Sequence, residues 1–541
     1  MFLQKTTSGK KQKYVSWLVR EGFRTDKGPR SRTVCNVTGL PEPALEVLRL
    51  ALQGKHLVPL EELALEGAFD YGGLAVLREA WQRFGLERLF EQVPSLRQRS
   101  LLQALVFARL LFPCSKLALA EQARGTLLAS ACGLDPRKET FDEDDLYAAM
   151  DALNGRWVTL EKCLYAKAFK APLRVVLYDL TSVYFEGKGP VGLARFGHSR
   201  DHRSDRRQVV LAVATNSEGV PVHVEVLKGN RGDATTFKGL LATLQRRFGI
   251  EEAVFTFDSG VNSKVNLAAI EAEKLQYVTR LSKAQLSSLL KKLPEDGQPE
   301  LFDSTQVIEV VHGGVRYVIA GGEMRRHRDR ERREARLAQG EAALERLAAV
   351  PRKRVDAQKL ASQAGRLLQR LLAHKYFEYY VDESGTLRWS RKEAVLAEEA
   401  RLDGWYLLQT NLAPEEGSKD DVLSHYRQLM EVESAFRELK DYLEVRPVYH
   451  RRVDRVRNHI RICFIAYWIS ARLSNEWKAK GQTRRVVDLL RALQTIRIGS
   501  LRLDGKPLAR LLTEVPPELN QTLGRLDLLS LFSKPPAWTN L

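Results

Sequence analysis

Two short apolar runs, each closed by an aspartate, constrain this chain more than any other feature. Val175-Val-Leu-Tyr178 leads into Asp179, and Val254-Phe-Thr-Phe257 leads into Asp258. Such runs, rich in β-branched and aromatic residues and bounded by turn-formers, read as strands. Leu173–Tyr178, Gln208–Ala214 and Val220–Leu227 predict a three-strand meander. Thr236–Phe248 has helical spacing, Ala253–Phe257 is a further strand, and Gln276–Arg280 is another. The result expected here is a mixed α/β sheet with helices packed on it.

The flanks read differently. Residues 1–58 form a basic N-terminal region in which Tyr14–Phe23 and Ser31–Val37 are short strands about the polar turn Thr25-Asp-Lys-Gly28, a β-hairpin. Residues 59–170 have apolar positions at helical spacing and are expected to be a helical domain. After the first part of the core, 171–281, the pattern breaks over 282–401. That segment has β runs at Gln306–Val311 and Val315–Ala320 and a long charged helical stretch from Glu323 to His374, and it reads as an insertion subdomain. Strand character returns at Trp405–Gln409 and a helix carries Tyr426–Leu443, so 402–475 is expected to complete the core. The segment 476–541 is expected to be a helical tail.

Charge points to the partner. Lys and Arg number 85 against 67 Asp and Glu, for a net charge of +18, and nine basic residues against two acidic ones fall in the first 40 positions. A surplus of this sign suits a polyanion, and a basic hairpin can lie on DNA. Arg325–Arg336 is dense in arginine but interleaved with Asp329, Glu331 and Glu334, so a solvated helix face is favoured there. The absence of an apolar run near the roughly 20 residues that span a bilayer, and of a secretory signal, predicts a cytoplasmic, nucleoid-associated protein. The five cysteines are scattered without metal-ligand spacing, and no phosphate-cradling glycine loop is present. A disulfide framework, a zinc module and an ATP-driven enzyme are all disfavoured.

Asp179, Asp258 and Glu433 are the candidate catalytic and metal-binding residues. Carboxylates at the ends of neighbouring strands can share a divalent ion, and a helical glutamate can complete the set. Tyr426, Glu433 and Lys440 are spaced by seven, which keeps them on one helical stripe with about 20° of drift per step. Oxygen-only donors suit Mg²⁺ or Mn²⁺, and two such ions support in-line phosphodiester cleavage. Tyr426 and Lys440 are then expected to contact phosphate oxygens. His198 and His202, among arginines, read as a polar loop rather than a zinc site, and Arg200 and Arg203 in it are candidates to touch the DNA backbone.

Several motifs then combine. Tyr178-Asp-Leu-Thr-Ser-Val-Tyr-Phe-Glu-Gly187, Phe196-Gly-His-Ser-Arg-Asp-His-Arg203, Phe257-Asp-Ser-Gly260 and Tyr426–Lys440 together resemble the DDE transposases of bacterial insertion sequences. The likeness is greatest to the insertion-sequence-four superfamily and, within it, the sixteen-thirty-four family. The resemblance implies a ribonuclease-H-like core, interrupted by an insertion before the glutamate, with Asp179, Asp258 and Glu433 as the triad on two Mg²⁺ or Mn²⁺ ions. It also implies hydrolytic nicking at terminal inverted repeats, attack of the freed 3′-hydroxyls on target double-stranded DNA, and a homodimer in the synaptic complex. The superfamily signature carries an arginine where this chain has Leu429, with Arg427 and Arg437 as the nearby substitutes. Trp389 lies in the insertion and matches no motif. A nuclease of the same fold without strand transfer, and an inactive DNA-binding derivative, are the alternative readings.

Overall fold

The computed structural model describes residues 1–8, 14–26, 28–55, 57–231, 237–293, 307–350 and 356–539. Two compact units emerge, residues 1–72 with 494–537, and residues 73–493 with 538–541.

In the first unit, the two expected N-terminal strands occur as Tyr14–Thr25 and Gly28–Asn36, and Phe2–Ser8 adds a third strand on the other side of the central one. Lys27 of the expected turn lies outside the described residues, while Thr25 and Gly28 face each other and Thr25 Oγ1 donates to Gly28 O at 2.9 Å. A second sheet corrects two expectations. The tail is not purely helical, because Arg497–Leu503 and Lys506–Leu512 form a hairpin, and the segment assigned to the helical domain opens with a strand, Leu63–Asp70, that pairs with Arg497–Leu503. The physical cause is Asp504-Gly505: both residues have positive φ, 51° and 72°, the conformation a two-residue hairpin turn needs.

In the second unit, helices run from Leu96–Leu111 to Trp157–Ala168. They pack around a long buried helix, Val453–Ala479, through edge-on contacts such as Trp157 with Phe464, and Phe84, which precedes them in the chain, meets Trp468 in the same way. Among the described residues no single helix is long and apolar enough to cross a membrane. Leu96–Leu111 and Lys116–Ala123 pass that test only together, and they are bent by 97° at their break.

The remaining elements build one large sheet. Its strands are β1 (Val175–Tyr184), β2 (Gln208–Thr215), β3 (Pro221–Lys228), β4 (Val254–Phe257), β5 (Gln276–Leu281), β6 (Val307–His312), β7 (Val315–Ala320) and β8 (Tyr406–Thr410). The order is β6-β7-β8-β5-β4-β1-β2-β3. β1, β2 and β3 are an antiparallel meander, and β4 and β5 run parallel to β1. This is the mixed α/β, ribonuclease-H-like arrangement. The helix after β3 is α1 (Phe237–Phe248), and Thr236, included in its predicted span, lies outside the described residues. α1 and α2 (Lys264–Ala272) close one face over Phe237, Leu240, Phe255 and Phe257.

The insertion is less separate than its pattern suggests. Its hairpin β6–β7, whose predicted first residue Gln306 lies outside the described residues, joins the core sheet because β7 pairs with β8, with Arg316 opposite Thr410. The predicted continuous helix is two helices, α3 (Glu323–Ala349) and α4 (Ala357–Arg370). Pro351 disfavours helical geometry at Val350. α3 and α4 pack with Phe377–Val381 and Leu387–Arg391 around their own core of Leu337, Leu344, Leu368 and Phe377. Trp389 packs there opposite Tyr379, as a strand-packing aromatic. The last core helix, α5 (Lys419–Arg437), covers the second face of the sheet over Val254, Val278, Leu408 and Leu423.

Candidate active site

Strand alternation builds the site. Along β1, Val176, Tyr178 and Leu180 point into the core under α1 and α2. Successive side chains on a strand face opposite ways, so Asp179 faces α5. Along β4, Phe255 and Phe257 belong to the same first core, while Val254 packs beneath α5, and parity sets Asp258 on the face of Val254. In the parallel pair Leu177 lies opposite Thr256, and two more steps bring Asp179 level with Asp258. Adjacent strands lie about 4.8 Å apart, within easy electrostatic reach.

Asp179 does not end its strand, as its position after Tyr178 suggests. β1 continues to Tyr184, and Asp179 sits in mid-strand opposite Val213. What ends beside it is β4, at Phe257. The sheet therefore loses one neighbour where the two carboxylates lie, and this leaves them room.

Helix α5 brings the third acid. Ser418 caps it reciprocally: its Oγ accepts from Asp421 N at 3.2 Å, and the Asp421 carboxylate accepts from Ser418 N at 2.9 Å. Val422, Leu423, Leu429, Val432 and Phe436 are buried, and Glu433 is exposed. Burial pushes the Asp179 carboxyl up to about 7. The Leu180 N–H and the Arg200 charge oppose that push, and the Asp258 and Glu433 charges add to it. Oδ1 of Asp179 accepts from Leu180 N at 2.7 Å, and Oδ1 of Asp258 from Ser259 N at 2.8 Å. Among the described residues no three His, Cys, Asp or Glu side chains converge closely enough to hold a metal ion. The donor chemistry nevertheless fits a hard divalent cation: three carboxylates, with mutual repulsion felt by the most buried one.

The expected phosphate contacts separate. Tyr426 is half-buried with its ring against Tyr406, centroids 5.6 Å apart, and burial raises its hydroxyl pKa, beside Arg280, Asp258 and Arg325. Lys440 leaves the predicted stripe because a π-helical turn, Glu438–Tyr442, follows α5 and changes the winding. Its ammonium pairs with Asp201 at 2.8 Å, and Arg446 joins the same carboxylate oxygen at 2.5 Å. Burial lowers the Lys440 pKa and Asp201 offsets that effect. Lys440 thus ties the end of the glutamate helix to the loop carrying Arg200.

In that loop Arg200 N donates to Ser182 Oγ at 2.9 Å. Arg203 pairs with Asp205 at 2.8 Å and lies over the Tyr184 ring. His198 and His202 sit in irregular chain, as the loop reading expects. Arg427 and Arg437 are exposed on α5. Leu429, at the signature arginine position, is buried at 6% exposure and so faces the core. Arg280, Arg325, Asp201 and Arg446 are not among the site residues expected from the sequence, and Arg325, which opens the segment read as a solvated helix face, is half-buried. Arg280 lies in a predicted strand, yet its place beside Asp258 depends on parallel register, which no local pattern carries.

With this geometry described, comparison with known proteins gives the family. A model described as the transposase DDE domain matches residues 170–469, more than half of the chain, and the chain belongs to the DDE transposase family. Among solved structures, a piggyBac transposase synaptic complex with hairpin DNA, determined by cryo-electron microscopy, aligns over 79% of this chain and 77% of its own, at 9% identity and a TM-score of 0.39. No protein of curated function matches.

Proposed function

We propose that this transposase binds the terminal inverted repeats of a bacterial insertion sequence, cuts the DNA there and joins the freed 3′-hydroxyls to target DNA. Within the DDE transposases we place it in the insertion-sequence-four superfamily, near the sixteen-thirty-four family, on the motifs around Asp179, Asp258 and Glu433. The observation that carries the reading is the placement of Asp179 and Asp258 level with each other on the sheet face that α5 covers, where burial raises the Asp179 carboxyl and the charges of Asp258 and of Glu433 on α5 add to that rise.

Asp179, Asp258 and Glu433 would hold Mg²⁺ or Mn²⁺. Two such ions supply Lewis acidity at the scissile phosphate and a lowered pKa for an attacking water or hydroxyl. The chain's own groups orient the DNA. The Tyr426 hydroxyl, next to Asp258, can donate to a phosphate oxygen. Arg200, near Asp179, contributes positive charge opposite the carboxylates. The Lys440–Asp201–Arg446 cluster fixes the Arg200 loop against the end of α5, so Lys440 is a positioning residue. Exposed Arg427, Arg437 and Arg203 add backbone contacts, and a homodimer would synapse two ends in the cytoplasm, at the nucleoid.

The test uses a supercoiled plasmid carrying the gene's own flanking DNA, with and without Mg²⁺, beside the Glu433→Gln variant. Metal-dependent cuts at the inverted-repeat boundaries that vanish in the variant are expected, followed by strand-transfer products from pre-cleaved ends. Cuts without joining would support a nuclease, and specific binding without cuts would support an inactive derivative.

A further inference from the structure

The row of side chains on the α5 face continues past the two aspartates. In the parallel pair β4–β5, Phe257 lies opposite Thr279, so one more step sets Arg280 level with Asp258. Arg280 shares its face with Val278, which packs under α5. Across the next strand pair it lies opposite Leu408. The row thus reads Asp179, Asp258, Arg280, with carboxylates giving way to a guanidinium.

A second guanidinium comes from the insertion. Arg325, in the first turn of α3, lies over the Tyr406 ring at 4.7 Å, and that ring leans on Tyr426. Arg280 and Arg325 both act electrostatically on the Tyr426 hydroxyl. Burial, and then the nearby Arg280 charge, hold Arg325 below its ordinary pKa. Among the described residues neither arginine has a carboxylate at ion-pair distance. Asp329, one turn along α3, is taken by Lys283 at 2.8 Å and by Gly404 N at 3.2 Å.

Two half-buried, mutually repelling guanidinium groups with no carboxylate in ion-pair contact are unfavourable unless an anion binds between them. Stacking on Tyr406 leaves the N–H edges of Arg325 available to a tetrahedral oxyanion. We propose that Arg280 and Arg325 form a clamp for a DNA backbone phosphate beside the scissile one. This rests on the transposase reading for the reaction, but not for the binding.

The full chain is tested as Arg280→Gln, Arg325→Gln and Arg325→Lys, with Arg328→Gln, exposed on the same helix, as control and melting curves to confirm folding. Loss of one charged hydrogen-bonding group predicts roughly 10- to 100-fold slower cleavage at saturating DNA, partial recovery with lysine, and no change for Arg328→Gln. Affinity for a short inverted-repeat duplex is measured across salt concentrations in parallel. Each Gln variant should lower the slope of log affinity against log salt by about 1. Wild-type cleavage and an unchanged slope in both Gln variants would overturn the clamp and leave the transposase reading standing. A reduced slope in a protein that never cleaves would support the clamp and sink the reaction. Absence of duplex binding would overturn both.

Discussion

Glu161 and Asp179 are both carboxylates set against the same sheet, and the fold treats them oppositely. Glu161 is fully buried, and its oxygens accept from His223 Nδ1 at 2.9 Å, Arg247 Nη1 at 2.7 Å and Val224 N at 3.4 Å. Asp179 takes one backbone N–H from its own neighbour, Leu180, and has the nearby Arg200 charge on one side against two further acids on the other. A buried charge that the protein compensates internally belongs to the architecture. One left partly uncompensated, beside others of the same sign, is set up for a ligand.

The contrast breaks first in activity. Asp179→Asn should slow Mg²⁺-dependent cleavage by roughly a thousandfold or more, about 4 kcal/mol of barrier, with the melting temperature held or raised. Comparable cleavage in that variant would make Asp179 as structural as Glu161. Next in size is the reverse experiment. Arg247→Leu strands the Glu161 charge and should cost about 3 kcal/mol of stability in urea denaturation, while cleavage of the folded fraction is unchanged. A cost near zero would mean that His223 and the backbone suffice.

The smallest effect concerns pH. Asp179 ionises near 7 in the fold, against an ordinary 3.8. Between those values the folded protein keeps a proton that the unfolded chain has lost, so this group's contribution is full below about pH 4 and fades as pH rises to about 7. In chelator, Asp179→Asn should flatten that decline and be more stable than the wild type at pH 8 by order 2 kcal/mol. Equal pH profiles would show that burial and the neighbouring acids together do not raise the Asp179 carboxyl, and added Mg²⁺ should stabilise the wild type alone.

Local patterns carried most of the core and less of its joining. Val254–Phe257 is an uninterrupted apolar run, so the strand before Asp258 was readable. The strand of Asp179 reads as ending at Tyr178 because an acid interrupts it, although Leu180–Tyr184 is rich in β-branched residues and pairs fully with β2. The Arg316–Thr410 pairing that merges the insertion with the sheet spans a long stretch of chain, and nothing local encodes it. Lys440 left its stripe through a π turn that a 3.6-residue period cannot show. The Asp504-Gly505 dipeptide, by contrast, is a local hairpin signal, and the expectation of a helical tail left it out.

That last hairpin has a consequence for how the molecule is made. Strand Leu63–Asp70 gains its partner only when Arg497–Leu503 has been synthesised. At typical elongation rates of about 5–20 residues per second, some 430 intervening residues take roughly 20 to 90 seconds to emerge. Throughout that interval the Leu63–Asp70 segment has no strand to pair with, and a ribosome that stops short of the hairpin releases a product in which the second sheet cannot form, while the N-terminal three-stranded sheet can.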